Sequence, residues 1–508
     1  MKKLIGTALI VLFLVTAGTG VRASGASESD GARAQSVTIA LGGDPATLDP
    51  HRSFNGFVFT VTNQIYETLV NRAPDGTLTS ELAESWRAID ETTWEFTLRD
   101  GVRFHDGTAF DAEAVAFSIE RLLDPETGAI GSFILTMVRE VRVIDERTVH
   151  IVTDRPFAPL PAHLSHPVTA IVSPAAAAGD LGVDPVGTGP FVFESRSSNT
   201  DLRLRGNGEY WGGAPTIQDI TFQVIPETGT QLAALRAGTI DLMSDVPPER
   251  FAAIDDDPEL SAERFLGWGS VYLGYNTLRG PLADERVRRA VALAIDRRGI
   301  IDNLRAGMAL PAIAMVPDTV FGSETEAEAI PFDPARARRL LDDTGVELPL
   351  TLTLNTFERA ETRQLATAIQ AQLAEIGIEV EVEITDYGAF AAATSASDHG
   401  LWLTTWGTVT LDADYTLYAL LHSGQHGADN RSLYANDEVD RLLDEARAAG
   451  DAEERRELYA RVHEAVVRDV PYLTLYYTLS SYAKNDRLVG EAYGFSAISL
   501  DLRDARIE

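Results

Sequence analysis

Three groups of residues in this chain stand at spacings that chemistry can use. In RDGVRFHDGTAFDAE, Arg99 to Glu113, the pair His105-Asp106 is followed by Asp111 and Glu113, residue types that perform acid/base work or hold a metal ion. In LHSGQHGADN, His422 and His426 stand four apart, the spacing that puts two imidazoles on one helical face. Gly424 and Gly427 favour a loop there, where that spacing carries less meaning. The third group is aromatic: Trp268, Tyr272 and Tyr275 in FLGWGSVYLGYNT, and Trp402, Trp406, Tyr415 and Tyr418 in GLWLTTWGTVTLDADYTLY. Rings beside small residues can wall a cleft, although rings on strands more often fill a core.

No mechanistic motif accompanies them. The chain lacks a G-x-S-x-G elbow, a G-x-x-x-x-G-K-S/T phosphate loop and an H-E-x-x-H zinc helix, so no catalysis is expected. A secreted hydrolase with a dispersed triad is the alternative from the enzyme class.

With 508 residues, 45% hydrophobic and 23% charged, the chain can bury large cores and should divide into two or three domains. Lys+Arg total 43 against Asp+Glu 76, a formal charge of -33. So acidic a surface repels phosphate backbones and anionic lipid heads, which argues against nucleic acid as a partner. Lys2-Lys3, the apolar run Leu4 to Ala17 and the small residues of Val21-Arg22-Ala23 predict a cleaved signal over residues 1–23. Its removal leaves 40 basic against 76 acidic residues, near -36. The absence of cysteine excludes disulfides, thiolate metal sites and lipid attachment at a lipobox. Together these predict a periplasmic protein, with residues 24–35 as a flexible leader.

The elements that must position the candidate residues follow from periodicity. Val37, Ile39 and Leu41 alternate as a strand ending in a Gly-Gly-Asp-Pro turn. Val58 to Val70 reads as helix. Trp94, Phe96 and Leu98 share one strand face before a turn at Asp100-Gly101, and Asp111 caps a helix whose apolar positions run from Ala112 to Leu123. From Asp284 the texture becomes α/β: Leu348 to Leu354, Ala360 to Ile376 and Ile378 to Ile384 read as strand, helix and parallel strand. Helices follow over Asp437 to Ala449 and Ala452 to Asp469.

The run TWEFTLRDGVRFHDGTAFDAEAVAFSIERL, Thr93 to Leu122, closely resembles the signature of the family 5 extracellular solute-binding proteins, the peptide- and nickel-binding components of ABC importers. The resemblance continues through TLDPH (47–51), IYETLV (65–70), ELAESW (81–86), PVGTGPFVF (185–193), YWGGAP (210–215), AALRAGTIDLM (233–243), VRRAVALAIDR (287–297), AIQAQLAEIGIEVEV (368–382) and VPYLTLYY (470–477). It implies an α/β fold of two lobes, the large three-subdomain variant of the type II periplasmic-binding-protein fold, with a hinge and an interlobe cleft. Lobe I would span 36–279, with 67–185 as an inserted subdomain and 486–508 returning to it, and lobe II 280–485. The hinge crossovers would lie near Thr277-Leu278-Arg279 and Lys484-Asn485. The implied protein is a monomer that delivers a small-molecule or peptide ligand to a permease and ATPase.

The resemblance also implies site residues. Trp406 and Trp268 would stack on ligand, with Tyr272 beside them. In the peptide-binding branch an aspartate three residues after the tryptophan meets the ligand ammonium. Val409 occupies that place here, which leaves Asp412 or Asp414 to supply the charge. In the nickel-binding branch a histidine some twenty residues after the tryptophan reaches the metal complex, a place close to His426. The arginines that grip a chelator's carboxylates there would fall near Gly128 and His166, so His166 is the remaining candidate contact. No resident cofactor is implied, with nickel only as transported ligand. Oligosaccharides, opines, haem and glutathione are the other solutes of such proteins.

Overall fold

The structure, a computed structural model, describes residues 35–73, 75–396, 399–493 and 500–508; the expected signal, and the leader up to residue 34, lie outside them. Among the described residues an 11-stranded sheet forms the spine. Its order is Ile378–Thr385, Leu350–Phe357, Leu401–Gly407, Leu260–Tyr275, Tyr472–Asn485, Leu242–Ser244, Ser36–Leu41, Asp219–Val224, Asp201–Gly206 and Phe191–Ser197, with Ala309–Pro311 paired to Tyr472–Asn485.

Two long antiparallel strands, Leu260–Tyr275 and Tyr472–Asn485, join the halves of this sheet. Leu260 to Leu266 pairs with Asn485 to Leu479, the register then shifts, and Ser270 to Gly274 pairs with Tyr477 to Tyr472. Leu242–Ser244 of the first half adds to Lys484–Tyr482, whereas Leu401–Gly407 of the second half adds to Tyr275–Gly269. The passage between halves therefore falls at Gly267-Trp268-Gly269, upstream of the Thr277-Leu278-Arg279 crossover that the sequence suggests. Thr277 already donates its N–H to Ser432 of the second half at 2.9 Å. A side chain at Gly269 would put its Cβ 2.5 Å from Thr478 Oγ1, so the break in register stands where the backbones come closest.

In the second half the strand-helix-strand unit forms as periodicity predicts. Leu350–Phe357 runs parallel to Ile378–Thr385 in register from Leu350 opposite Ile378 to Phe357 opposite Thr385. The connecting helix Ala360–Ala374 buries Leu365, Ala366, Ile369 and Leu373 in the core. The first half adds a four-stranded antiparallel sheet, Ala83–Ala88, Thr93–Leu98, Thr148–Thr153 and Val138–Asp145. Helix Ala112–Leu123 shares its core, and Asp111 caps that helix by accepting the Ala114 N–H at 3.0 Å.

The helix expected over Val58 to Val70 is cut short at Gly56–Thr62. Beyond it the Gln64 and Ile65 carbonyls accept from Phe191 N–H (3.0 Å) and Gly189 N–H (2.9 Å), so a distant segment takes acceptors that a continuing helix would use itself.

The His105 stretch is part of the same join. His105 donates its backbone N–H to Gly187 O and its ring Nε2–H to Gly189 O, both at 2.9 Å. Asp106 caps its own turn by accepting from Thr108 N–H (2.9 Å) and accepts from Ser173 Oγ (2.6 Å). The most catalytic-looking residues in the sequence thus fasten RFHDGT to PVGTGPF.

Candidate functional site

Between residues 133–163 of the first half and 406–447 of the second lies a cavity of about 360 Å³. Strand Leu401–Gly407 carries Trp406 to its edge, and helix Ala413–Leu421 presents Tyr415 and Tyr418. These rings are held in place: Trp406 Nε1 donates to Thr416 Oγ1 at 3.0 Å, its ring lies 5.7 Å from that of Tyr415, and Tyr418 stacks on His422 at 4.3 Å. Phe133, Met137, Phe157 and His163 line the facing wall. Ala158 N–H donates to the Arg447 carbonyl at 2.7 Å, and Arg155 Nη1 to Tyr418 OH at 3.4 Å. The walls therefore already touch.

The charges divide into spent and unspent. Asp414 is fully buried and gripped by Arg447 through two bonds, at 2.7 and 2.9 Å. Burial pushes its carboxyl pKa up, yet Arg447 outweighs burial and holds it below the usual range. Asp412 caps helix Ala413–Leu421, accepting Asp414 N–H at 3.1 Å, and takes Arg455 Nη2 at 2.7 and 2.9 Å. Both aspartates expected to face a ligand cation thus have guanidinium partners of their own, supplied from 33 and 43 residues downstream.

Asp429, which periodicity did not single out, also lines this cavity. It is half-buried, and burial raises its carboxyl pKa against the pull of Arg431. Among the described residues its carboxylate has no hydrogen-bond or ion-pair partner. Arg155, on the facing wall, is exposed and has no carboxylate partner among the described residues. The sequence held one signal for Asp429, its place in the Gly-rich loop that drew attention to His422 and His426.

A second cavity, about 190 Å³, is lined by Glu67, Arg72, Glu81, His166, Trp268, Val409 and Arg503 among others. Trp268 reaches it from the register break, and its carbonyl accepts Thr408 N–H at 3.1 Å. His166 stacks on Phe54 at 4.9 Å and accepts Val168 N–H at Nδ1 (3.1 Å); burial, then His163, pulls its pKa down to about 3. It is a neutral, packed ring. Buried Glu67 accepts from Tyr210 OH (2.6 Å), Trp211 Nε1 (2.8 Å) and Thr188 Oγ1 (2.8 Å). Burial and neighbouring Glu81 push its pKa up to about 7. Arg72 crosses from the first half to donate to the Thr410 carbonyl.

The remaining candidates lie elsewhere. Tyr272 is fully buried in the second half's core and donates its hydroxyl to the Met315 carbonyl; it lines neither cavity, because its strand turns that face inward. His426 donates Nε2–H to the Tyr434 carbonyl at 2.9 Å, and His422 Nδ1 accepts Gly424 N–H at 3.0 Å. No group of three or more His, Cys, Asp or Glu placed to hold a metal ion occurs among the described residues.

Comparison with known proteins gives a consistent result. The model of the bacterial extracellular solute-binding proteins, family 5 (middle), matches residues 77–428. The glutathione-binding protein GsiB of Salmonella paratyphi A is 29% identical over 467 residues, 89% of this chain and 91% of that one. Di/tripeptide-binding protein 2 of Pseudomonas aeruginosa is 28% identical over 515 residues, 94% and 97% of the two chains. Among solved structures, the periplasmic binding protein DppA of Helicobacter pylori in complex with the peptide STSA is 26% identical, with a TM-score of 0.76 over 93% of this chain and 98% of that one.

Proposed function

The chain belongs to the family 5 bacterial extracellular solute-binding proteins, and from that premise we propose that it captures a short peptide-like solute between its two halves and delivers it to an ABC permease and ATPase. The observation that carries this reading is the 360 Å³ cavity walled by rings from both halves, Trp406, Tyr415 and Tyr418 against Phe133 and Phe157. That volume lies at the small end of the roughly 300–1,000 Å³ typical of ligand sites, which suits a di- or tripeptide. The names of the glutathione- and di/tripeptide-binding relatives support the same class.

A ligand touching both walls stabilises the arrangement in which they are close, and the permease reads that arrangement. The hinge for this motion is the register break at Gly267-Trp268-Gly269 and its partner segment Tyr477 to Leu479. Residues 1–23 direct export to the periplasm and are then removed.

The test is native mass spectrometry of gently purified protein. Thermal-shift panels of di- to pentapeptides, glutathione, Ni²⁺ with histidine or citrate, and oligosaccharides complete it. Peptides or glutathione should stabilise the protein by about 4 kcal/mol at ~1,000 times the dissociation constant. A shift with nickel complexes or oligosaccharides alone overturns the reading.

A further inference from the structure

The 360 Å³ cavity is polarised. Arg447 neutralises Asp414, and His163 is neutral because burial lowers its pKa. Asp154 stands exposed at the rim. The unspent charges beyond it are the Asp429 carboxylate, from the second half, and the Arg155 guanidinium, from the first.

We infer that Asp429 and Arg155 select a zwitterionic solute with both termini free, its ammonium at Asp429 and its carboxylate at Arg155. The inference rests on the peptide reading above and fixes the direction in which the peptide lies.

Asp429 is half withdrawn from water beside the Tyr415 ring, without a donor to compensate it. A carboxylate in that position gains more from an arriving cation than an exposed one does, because its own hydration is already partly lost. Arg155 offers a planar fork whose one contact is the long bond to Tyr418 OH, and a ligand carboxylate fits that fork with two parallel bonds. Since the two charges come from different halves, a solute with both termini bridges them, whereas one with a blocked end engages one wall and leaves the other charge unpaired. Selectivity and closure then share one cause.

The experiment is titration calorimetry on the mature protein with Ala-Phe-Ala, its N-acetyl form, its C-terminal amide, and glutathione as a second probe. Wild type should lose about 30-fold or more in affinity on either blocking. In Asp429→Asn the acetylation penalty should fall below about 3-fold while the amidation penalty stays. In Arg155→Met the pattern should reverse, and Asp429→Glu should keep the wild-type preference for a free amine. Melting temperatures of the variants check their folding. If free peptides bind but Asp429→Asn keeps the full acetylation penalty, the charge assignment is overturned and the peptide reading stands. If neither probe binds wild type, the peptide reading falls and takes the assignment with it.

Discussion

Arg447 grips Asp414 with two parallel bonds, Nε to Oδ1 at 2.7 Å and Nη2 to Oδ2 at 2.9 Å, and lays the same guanidinium over the Tyr418 ring, 3.1 Å from its centroid. One ion pair thus fixes a ring of the cavity wall. It also ties helix Ala413–Leu421 to helix Asp437–Ala448, which carries Arg447.

Removing one partner of such a pair strands the other. Asp414→Asn keeps the shape but leaves Arg447 largely buried without a counter-charge, and should cost about 3–5 kcal/mol of stability. Urea denaturation of the two proteins measures this. A loss under ~1 kcal/mol would mean that Arg447 finds water or another acceptor.

His166 makes stability fall on the acid side. Its folded pKa, about 3, lies below the ordinary 6.5, so at pH 5 the unfolded chain binds a proton that the folded chain refuses. The contribution is intact above pH 6.5 and is lost as pH falls toward 3. His166→Phe keeps the ring beside Phe54 but gives up the Val168 hydrogen bond, for about 1 kcal/mol at pH 7.5. Between pH 7.5 and 5 it should lose about 2 kcal/mol less than wild type, read from urea midpoints. Parallel curves for the two proteins would show that His166 is hydrated.

Glu67 works with the opposite sign. Its folded pKa, about 7, lies above the ordinary 4.5, so the fold prefers the protonated carboxyl. That contribution is full below pH 4.5 and is lost as pH rises through 7. Relative to wild type, Glu67→Gln should flatten the decline between pH 5 and 8 by an amount on the order of 1–3 kcal/mol. Its amide nitrogen cannot accept from the donors Tyr210, Trp211 and Thr188, so a uniform loss across all pH values accompanies the change. A slope unchanged by the substitution would place the titration on another group.

What the sequence made legible was local. The crossover Leu350–Phe357, Ala360–Ala374, Ile378–Thr385 follows from alternation and a 3.6-residue period, and the Asp111 cap from residue type and place. The site depended on pairings that no window contains. Asp412 and Asp414 read as free carboxylates until Arg455 and Arg447 came back from later helices to meet them. Tyr272 and Trp268 sit four apart on one strand, yet the register break sends Tyr272 into the core and leaves Trp268 beside the second cavity. The expected helix past Thr62 failed for the same reason, since Gly189 and Phe191 claim the carbonyls of Ile65 and Gln64.

That last join yields a sharp contrast between two glycines of the signature segments. A Cβ on Gly187 would lie 2.1 Å from the Ile65 carbonyl oxygen and 2.8 Å from Tyr66 Cδ1, while one on Gly107 would meet nothing within 4 Å. Gly107 instead has φ of +83°, a conformation that costs a residue with a side chain about 1–2 kcal/mol. At Gly187 backbone must move, and with it the Gly187 carbonyl that accepts from His105 N–H. Gly187→Ala should therefore cost about 3 kcal/mol or more, at or beyond the usual overpacking range, and Gly107→Ala roughly half as much. Urea midpoints of the two variants decide it: equal losses would show that the chain at 187 yields easily and that the His105 join is looser than its hydrogen bonds imply.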